Sequence, residues 1–364
     1  MSADLQNPSV VAPAMVDTAE SLAQYYLRPI AHFFQDPAVT SIAINRFDHV
    51  MIRKNGMWEV TEAKFADEKT LVRAITQVIG NLGQHIDAET APIADARLAD
   101  GSRVNAVLAP TAHRGSNMTI RIFPKVRYTV RDLLDKGALN GEMLRFFELA
   151  AACQYNILVS GATGSGKTTI LNAIANLIPD EHRIGVIEDT AELKIDKPNL
   201  VGMEAPRRAL KPGERPITME DLLVNTLRQE LATVIVGEVR EPKASTALML
   251  ALNTGHKGVI SSLHANSADH ARTRLINMLL SNDTRIPYDA IKHEIDDNFD
   301  MVIQCEHTPK HGKRIVSVHE FQDGQLNPLF TWDYIKGEHK QAYIASQRPP
   351  RLFNIAKKYG LSVG

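Results

Sequence analysis

The chain has 364 residues, enough for two domains, and its 44% hydrophobic content can fill a sizeable core in each. Lys+Arg 41 against Asp+Glu 42 leaves a formal net charge of −1, which argues against a surface that coats nucleic acid. The two cysteines, Cys153 and Cys305, each sit in an apolar run, and there is no Cys-x-x-Cys pair. A disulfide scaffold and a zinc module are therefore excluded, and buried thiols of a reducing compartment are expected. No apolar run reaches membrane-spanning length and no signal peptide is visible, so the reading is a soluble, cytoplasmic protein whose membrane association is peripheral.

Residues 1–15 are small and polar and read as a disordered start, with an α+β domain over 16–123. Leu22, Tyr26, Ile30 and Phe33 mark a helical face that Asp36-Pro37 stops. Short alternating runs follow at Ser41–Asn45, Val50–Lys54 and Met57–Thr61, the last two joined by Asn55-Gly56, a hairpin signal. Leu71, Ile75, Val78, Ile79 and Leu82 restore helical spacing. Three more strands are expected at Pro92–Leu98, Ser102–Leu108 and Met118–Phe123. Arg97, Arg103 and Arg121 fall within these strands and Arg114 between the last two; taken alone, strand arginines usually face solvent. Residues 124–141 read as a linker, and residues 142–364 as a second domain.

The second domain is organised around Gly161-Ala162-Thr163-Gly164-Ser165-Gly166-Lys167-Thr168-Thr169, which has the phosphate-loop pattern G-x-x-x-x-G-K-[ST]. Its context agrees, with the buried run Ile157-Leu158-Val159 before it and Ile170, Leu171, Ile174, Leu177 and Ile178 at helical spacing after it. Loop N–H groups and the helix N-terminus then converge on phosphate oxygens. Lys167 is expected to reach the β/γ-phosphates of a nucleotide, and the Thr168 hydroxyl to hold Mg²⁺.

Strands alternating with helices predict a parallel sheet covered on both faces. The strand Arg183–Glu188 ends in Glu188-Asp189-Thr190-Ala191-Glu192, three carboxylates at the edge where ligands of such sheets bind. A long loop is expected over Lys194–Pro216, including Arg207 and Arg208, before a capping box at Thr218–Asp221 opens a helix that ends near Arg228. Thr233–Glu238 is an apolar strand ending in an acid, the form of a second nucleotide motif. Lys257–Leu263 is a strand ending at His264. A helix and three strand-like runs follow Pro287, and the tail from Tyr334 shows no legible chemistry.

Taken in this order, the phosphate loop, Ile-Glu-Asp-Thr-Ala-Glu-Leu, Val-Ile-Val-Gly-Glu-Val-Arg and Thr-Gly-His-Lys-Gly…Leu-His-Ala-Asn resemble the secretion (traffic) ATPases. These serve type IV secretion, conjugation, type II secretion, and type IV or tight-adherence pili. The resemblance spans about Ser41 to Phe299. It implies a PAS-like first domain, a RecA-like P-loop second domain, a homo-hexameric ring, and inner-membrane components of a secretion or pilus machine as partners. No sequence-specific nucleic-acid contact is expected. It also implies that Glu238 belongs to the second nucleotide motif, that Glu188 or Glu192 meets the attacking water, and that His264 senses the γ-phosphate. Arg228 matches the arginine before the second motif, and Arg103 and Arg121 match the arginine box of the first domain. The chain departs from many relatives at Gln229–Thr233, where they carry Pro-Asp. It also lacks a four-cysteine module and has Thr-Ala-Glu-Leu for Pro-x-Glu, which favours the type IV secretion and tight-adherence branch. A DNA-translocating motor and a pilus retraction motor stand as the alternatives.

Overall fold

The computed structural model describes residues 25–123, 128–205, 215–282, 285–343 and 350–362. The chain divides into two compact units, Met1–Arg127 and Tyr128–Gly364.

In the first unit, β1 (Val39–Arg46), β2 (His49–Lys54), β3 (Met57–Val60), β4 (Ile93–Arg97), β5 (Arg103–Val107) and β6 (Asn117–Arg121) form an antiparallel sheet. Their order is β3-β2-β1-β6-β5-β4. The period-2 pattern decides the core face: β5 buries Val104 and Ala106, and β6 buries Met118 and Ile120. The helix Glu68–Asn81 contributes Leu71, Ala74, Ile75, Val78 and Ile79 to the same cluster, and the Asp67 carboxylate caps its N-terminus by accepting from Thr70 N. Asn55 and Gly56 both take positive φ, as the hairpin signal requires. The expected N-terminal helix is partly different: Leu22 lies outside the described residues, and Arg28–Gln35 is a 3-10 helix with Pro29 as its second residue.

The second unit holds a nine-stranded sheet of β7 (Ile157–Gly161), β8 (Ile184–Glu188), β9 (Leu200–Glu204), β10 (Thr233–Val236), β11 (Ile260–Leu263), β12 (Met301–Thr308), β13 (Gly312–Gln322), β14 (Gln325–Asp333) and β15 (Glu338–Gln341). The order is β15-β14-β13-β12-β7-β11-β10-β8-β9. The run from β12 to β9 is parallel, whereas β13, β14 and β15 add on antiparallel. Every residue of β7, β8, β10 and β11 is buried. Alternate residues feed two cores. Ile157, Val159, Ile235 and Ile260 pack with helices Gly141–Ala152 and Lys167–Ala175. Leu158, Val234 and Val236 pack with Pro242–Asn253 and Ala268–Leu280 on the other face.

The boundary differs from the expected linker. Residues 124–127 lie outside the described set, as do Arg207 and Arg208, but from Thr129 onward the segment belongs to the second unit. Thr129 and Asp132 form a capping box on the helix Val130–Asp135, and Leu133, Ala138 and Leu139 are buried in the core. Ile315 N donates to Ala138 O at 2.9 Å, so residues 142–364 are not the whole unit. β9 lies inside the expected long loop, and β15 and the helix Arg351–Lys358 occupy the tail. No helix among the described residues is long and apolar enough to cross a membrane.

Candidate active site

The phosphate loop leaves β7 at a point that demands glycine. Gly161 pairs with Cys305 of β12, and a Cβ there would collide with the Cys305 carbonyl and with Ser165 Oγ. Gly166, at φ 101°, is the N-cap of the helix Lys167–Ala175 and has no side chain to close the first turn. The N–H groups of that turn therefore stay available to an anionic ligand. Ile170, Leu171 and Ile174 anchor the helix in the core. Thr163, Gly164 and Thr168 are exposed and Thr169 is half-buried. Ser165 is buried, and its Oγ has no hydrogen-bond partner among the described residues.

Four strand ends bring their side chains together. Lys167, buried although charged, donates from Nζ to Gly161 O at 3.0 Å and Ala162 O at 3.2 Å, and Nζ lies 3.2 Å from His264 Nδ1. An ammonium only donates, so Nδ1 accepts and the neutral ring carries its proton on Nε2. Burial holds the His264 pKa below its usual value and keeps the ring neutral; Lys167, Arg240 and Arg274 act in the same direction and Glu238 opposes them. The protonated Nε2 lies 2.7 Å from Glu238 Oε1, at ion-pair distance but off the hydrogen-bonding direction. Arg240 then grips the other oxygen, Glu238 Oε2, from Nε at 3.0 Å and Nη2 at 2.6 Å, and reaches Asp189 Oδ2 from Nη1 at 2.8 Å. The result is a continuous run, Lys167–His264–Glu238–Arg240–Asp189, across the C-terminal ends of β7, β11, β10 and β8.

Glu188 has a different task. It is only 6% exposed, and its Oε1 accepts from Glu192 N at 2.8 Å and Leu193 N at 3.0 Å. Burial pushes its pKa up to about 7, against those two hydrogen bonds and with help from Glu192 and Glu204. A Cβ on Gly237 would come 3.0 Å from Glu188 Cγ, so the glycine before Glu238 is what lets the two acidic strand ends approach. Glu188 thus braces the turn that carries Glu192, which is itself half-buried.

Of the site residues expected from the sequence, the structure brings Lys167, His264 and Glu238 together. Arg228 is exposed, two residues past the helix Met219–Thr226, and takes no part in this network among the described residues. Arg103 and Arg121 lie in the first unit as direct cross-strand partners, with Arg97 opposite Arg103 on the next strand. Arg240 and Asp189, which complete the run, carry no assigned role in the sequence motifs that contain them. Arg240 stands two residues after Glu238 in the acidic motif, a spacing that returns an extended side chain to the same side.

The donor set suits Mg·ATP. Among the described residues no group of three or more His, Cys, Asp or Glu is arranged to hold a metal alone. Mg²⁺ usually takes one or two protein ligands together with substrate phosphates, and Thr168 with Glu238, whose Oε1 is buried without an aligned donor, fits that division. Lys167 already rests on acceptors that phosphate oxygens could replace.

Comparison with known proteins agrees. The family model for type II/IV secretion system proteins matches residues 24–313. The uncharacterised protein MJ0781 of Methanocaldococcus jannaschii is 33% identical over 255 residues, which cover 66% of this chain and 35% of that protein; the chain spans about a third of that relative. The type IV secretion system protein VirB11 of Brucella suis is 29% identical over 305 residues, covering 77% of this chain and 84% of VirB11. Two solved structures share the fold. The ATPase DotB of Legionella pneumophila has a TM-score of 0.56 at 20% identity, covering 83% of this chain and 81% of DotB. The pilus retraction motor PilT with bound ADP also has a TM-score of 0.56, at 17% identity, covering 93% and 88%. Phosphate loop, acidic turn and histidine thus stand in a RecA-like α/β fold shared with these two structures, and the chain belongs to the type II/IV secretion system protein family.

Proposed function

We propose that the chain is a hexameric ATPase that drives substrate export or pilus assembly by a type IV secretion, conjugation or tight-adherence machine. Its place is the cytoplasmic face of the inner membrane, against that machine's membrane components. The observation that carries the reading is the run Lys167–His264–Glu238 at the C-terminal edge of the parallel strands. Thr168 and Glu238 would hold Mg²⁺, which would supply charge that neutralises the phosphates. Lys167 exchanges Gly161 O and Ala162 O for phosphate oxygens, while its third N–H stays on His264 Nδ1. That exchange lets His264 report on the γ-phosphate and pass the change to Glu238 through Nε2. Glu192 orients the attacking water, while Glu188 fixes the turn that positions it. Arg103 and Arg121 supply positive charge to the transition state.

The test is turnover of Mg·ATP by the purified chain, with native mass measured in parallel. Hydrolysis by a particle of six times the 40.3 kDa chain is expected. A monomer with no turnover, alone or with membrane, would overturn the reading. Stimulation by DNA would support a DNA-translocating motor instead.

A further inference from the structure

The sheet order separates two flanks of the phosphate loop. On one side of β7 lie β11, β10 and β8, whose ends carry His264, Glu238 and Glu188. On the other lies the hairpin of β12 and β13. Because β12 pairs with β7 up to Cys305↔Gly161, its last residues run on beside the phosphate loop. The hairpin turn is closed by Thr308 Oγ1, which donates to Gly312 O at 3.1 Å, and His307 pairs with Lys313 across it.

This hairpin is basic and held in place. His307, Lys310, His311 and Lys313 are exposed on it. The one acid at its base, Glu306, accepts from Tyr334 OH at 2.8 Å. Next to Lys313, Arg314 is buried, its guanidinium 4.3 Å from the Trp332 ring centre and donating to Gly137 O at 3.0 Å. That anchorage fixes where Lys313 leaves the strand. Its stem lies over the phosphate loop: Lys313 Cβ and Cδ are 3.6 and 3.7 Å from where a Cβ on Gly166 would sit.

We propose that Lys313 is a nucleotide-binding residue that contacts the α- and β-phosphates, so that it holds ADP as well as ATP. The assignment rests on the phosphate loop being the ATP site. With Lys167, Glu238 and His264 gathered on the β11 flank, the γ-phosphate goes to that side. The rest of the nucleotide then extends along the loop toward the β12–β13 flank. A lysine whose stem already covers Gly166 has the reach and the charge for the inner phosphates. Lys313 therefore acts on affinity rather than on the chemical step.

The experiment uses the full chain with Lys313→Ala, Lys313→Arg and Lys167→Ala. Affinities for Mg·ADP and Mg·ATP are read by displacement of a fluorescent nucleotide, alongside KM and kcat. Lys313→Ala should weaken both nucleotides roughly 10-fold and raise KM to match, with kcat lowered no more than about twofold. Lys313→Arg should recover most of the affinity, because the charge remains. Should Lys313→Ala change the melting temperature, Lys313→Gln, which keeps most of the stem, takes its place. Unchanged affinities in a folded variant, a loss confined to ATP, or a fall in kcat at unchanged KM would each overturn the proposal. Full turnover by Lys167→Ala would remove the phosphate loop as the site altogether. Loss in Lys167→Ala with no effect at Lys313 would overturn the present inference alone.

Discussion

In the second unit β7, β8, β10 and β11 are buried at every position, whereas β5 and β6 of the first unit bury every second residue. A sheet covered on both faces has no room along its strands for charged groups, so its polar chemistry is driven to the strand ends. Gly161, Glu188, Glu238 and His264 all stand at or just beyond such ends. A sheet covered on one face leaves the other open, and there the first unit sets Arg97, Arg103 and Arg121 in one row of cross-strand partners, continued by Ser41 and Arg53. Like charges placed directly opposite oppose sheet formation. In the proposed function that row of arginines is the source of positive charge for the transition state.

The sharpest way to break this contrast is to remove the charge at the strand-end site. Lys167→Ala should lower turnover by at least ~10³-fold while melting like the wild type, since the loop is held by glycine turns and by the buried helix behind it. Wild-type hydrolysis by a folded Lys167→Ala protein would end the strand-end site. Next in size is the open face. Arg121→Ala should cost ~10²- to 10³-fold in turnover with nucleotide affinity and hexamer retained, and Arg53→Ala, beyond Ser41 in the same row, should cost less than about twofold. Equal losses at Arg53 and Arg121 would mean that the row acts only as a charged surface. A fragment of residues 128–364 should bind ATP and share the Arg121→Ala defect, whereas one of residues 142–364 should melt lower for want of Leu133, Ala138 and Leu139. Third comes Glu238→Gln, expected to bind Mg·ATP nearly normally and to hydrolyse it ~10²-fold more slowly. Full turnover there would hand the catalytic role to the acidic turn.

The sequence makes the strand-end site far more legible than the rest. A glycine-rich loop, an acid after an apolar strand and a histidine after another are local patterns, and locality is what a sequence displays. The partners of those groups are not local: Arg240 meets Asp189 across 51 positions, and Lys167 meets His264 across 97. The first unit is legible as strands and turns because Asn55-Gly56 and the period-2 runs dictate them. Its row of three arginines depends on the register of three strands, which no single run specifies. β9 and the end of the expected linker escape for a related reason. β9, Leu-Val-Gly-Met-Glu, is a mostly exposed edge strand with no strong alternation, and residues 128–141 look like a connection until β13 pairs with Ala138.

The smallest effect concerns stability rather than rate, and it turns on Glu188. Its carboxyl ionises near 4.5 when exposed and at about 7 in the folded chain, with burial the chief cause. A raised acid pKa means that the folded state keeps a proton which the unfolded state has already lost. The associated stability is fully present below about pH 4.5 and fades as pH rises through about 7. Its size is bounded at ~3.5 kcal/mol, from ~1.4 kcal/mol for each pH unit that separates the two ionisations. Glu188→Gln keeps a carbonyl oxygen where Oε1 accepts from Glu192 N and Leu193 N, so the turn survives while the titration disappears. Melting temperatures of the two proteins at about pH 5 and about pH 8 then isolate the effect. The wild type should lose more over that interval than Glu188→Gln, by several degrees, given ~2–4 °C for each kcal/mol in a domain of this size. Parallel losses would show that Glu188 is charged throughout. It would then stand as an ionised member of the strand-end cluster, able to orient water itself, and the brace for Glu192 would have to be sought elsewhere.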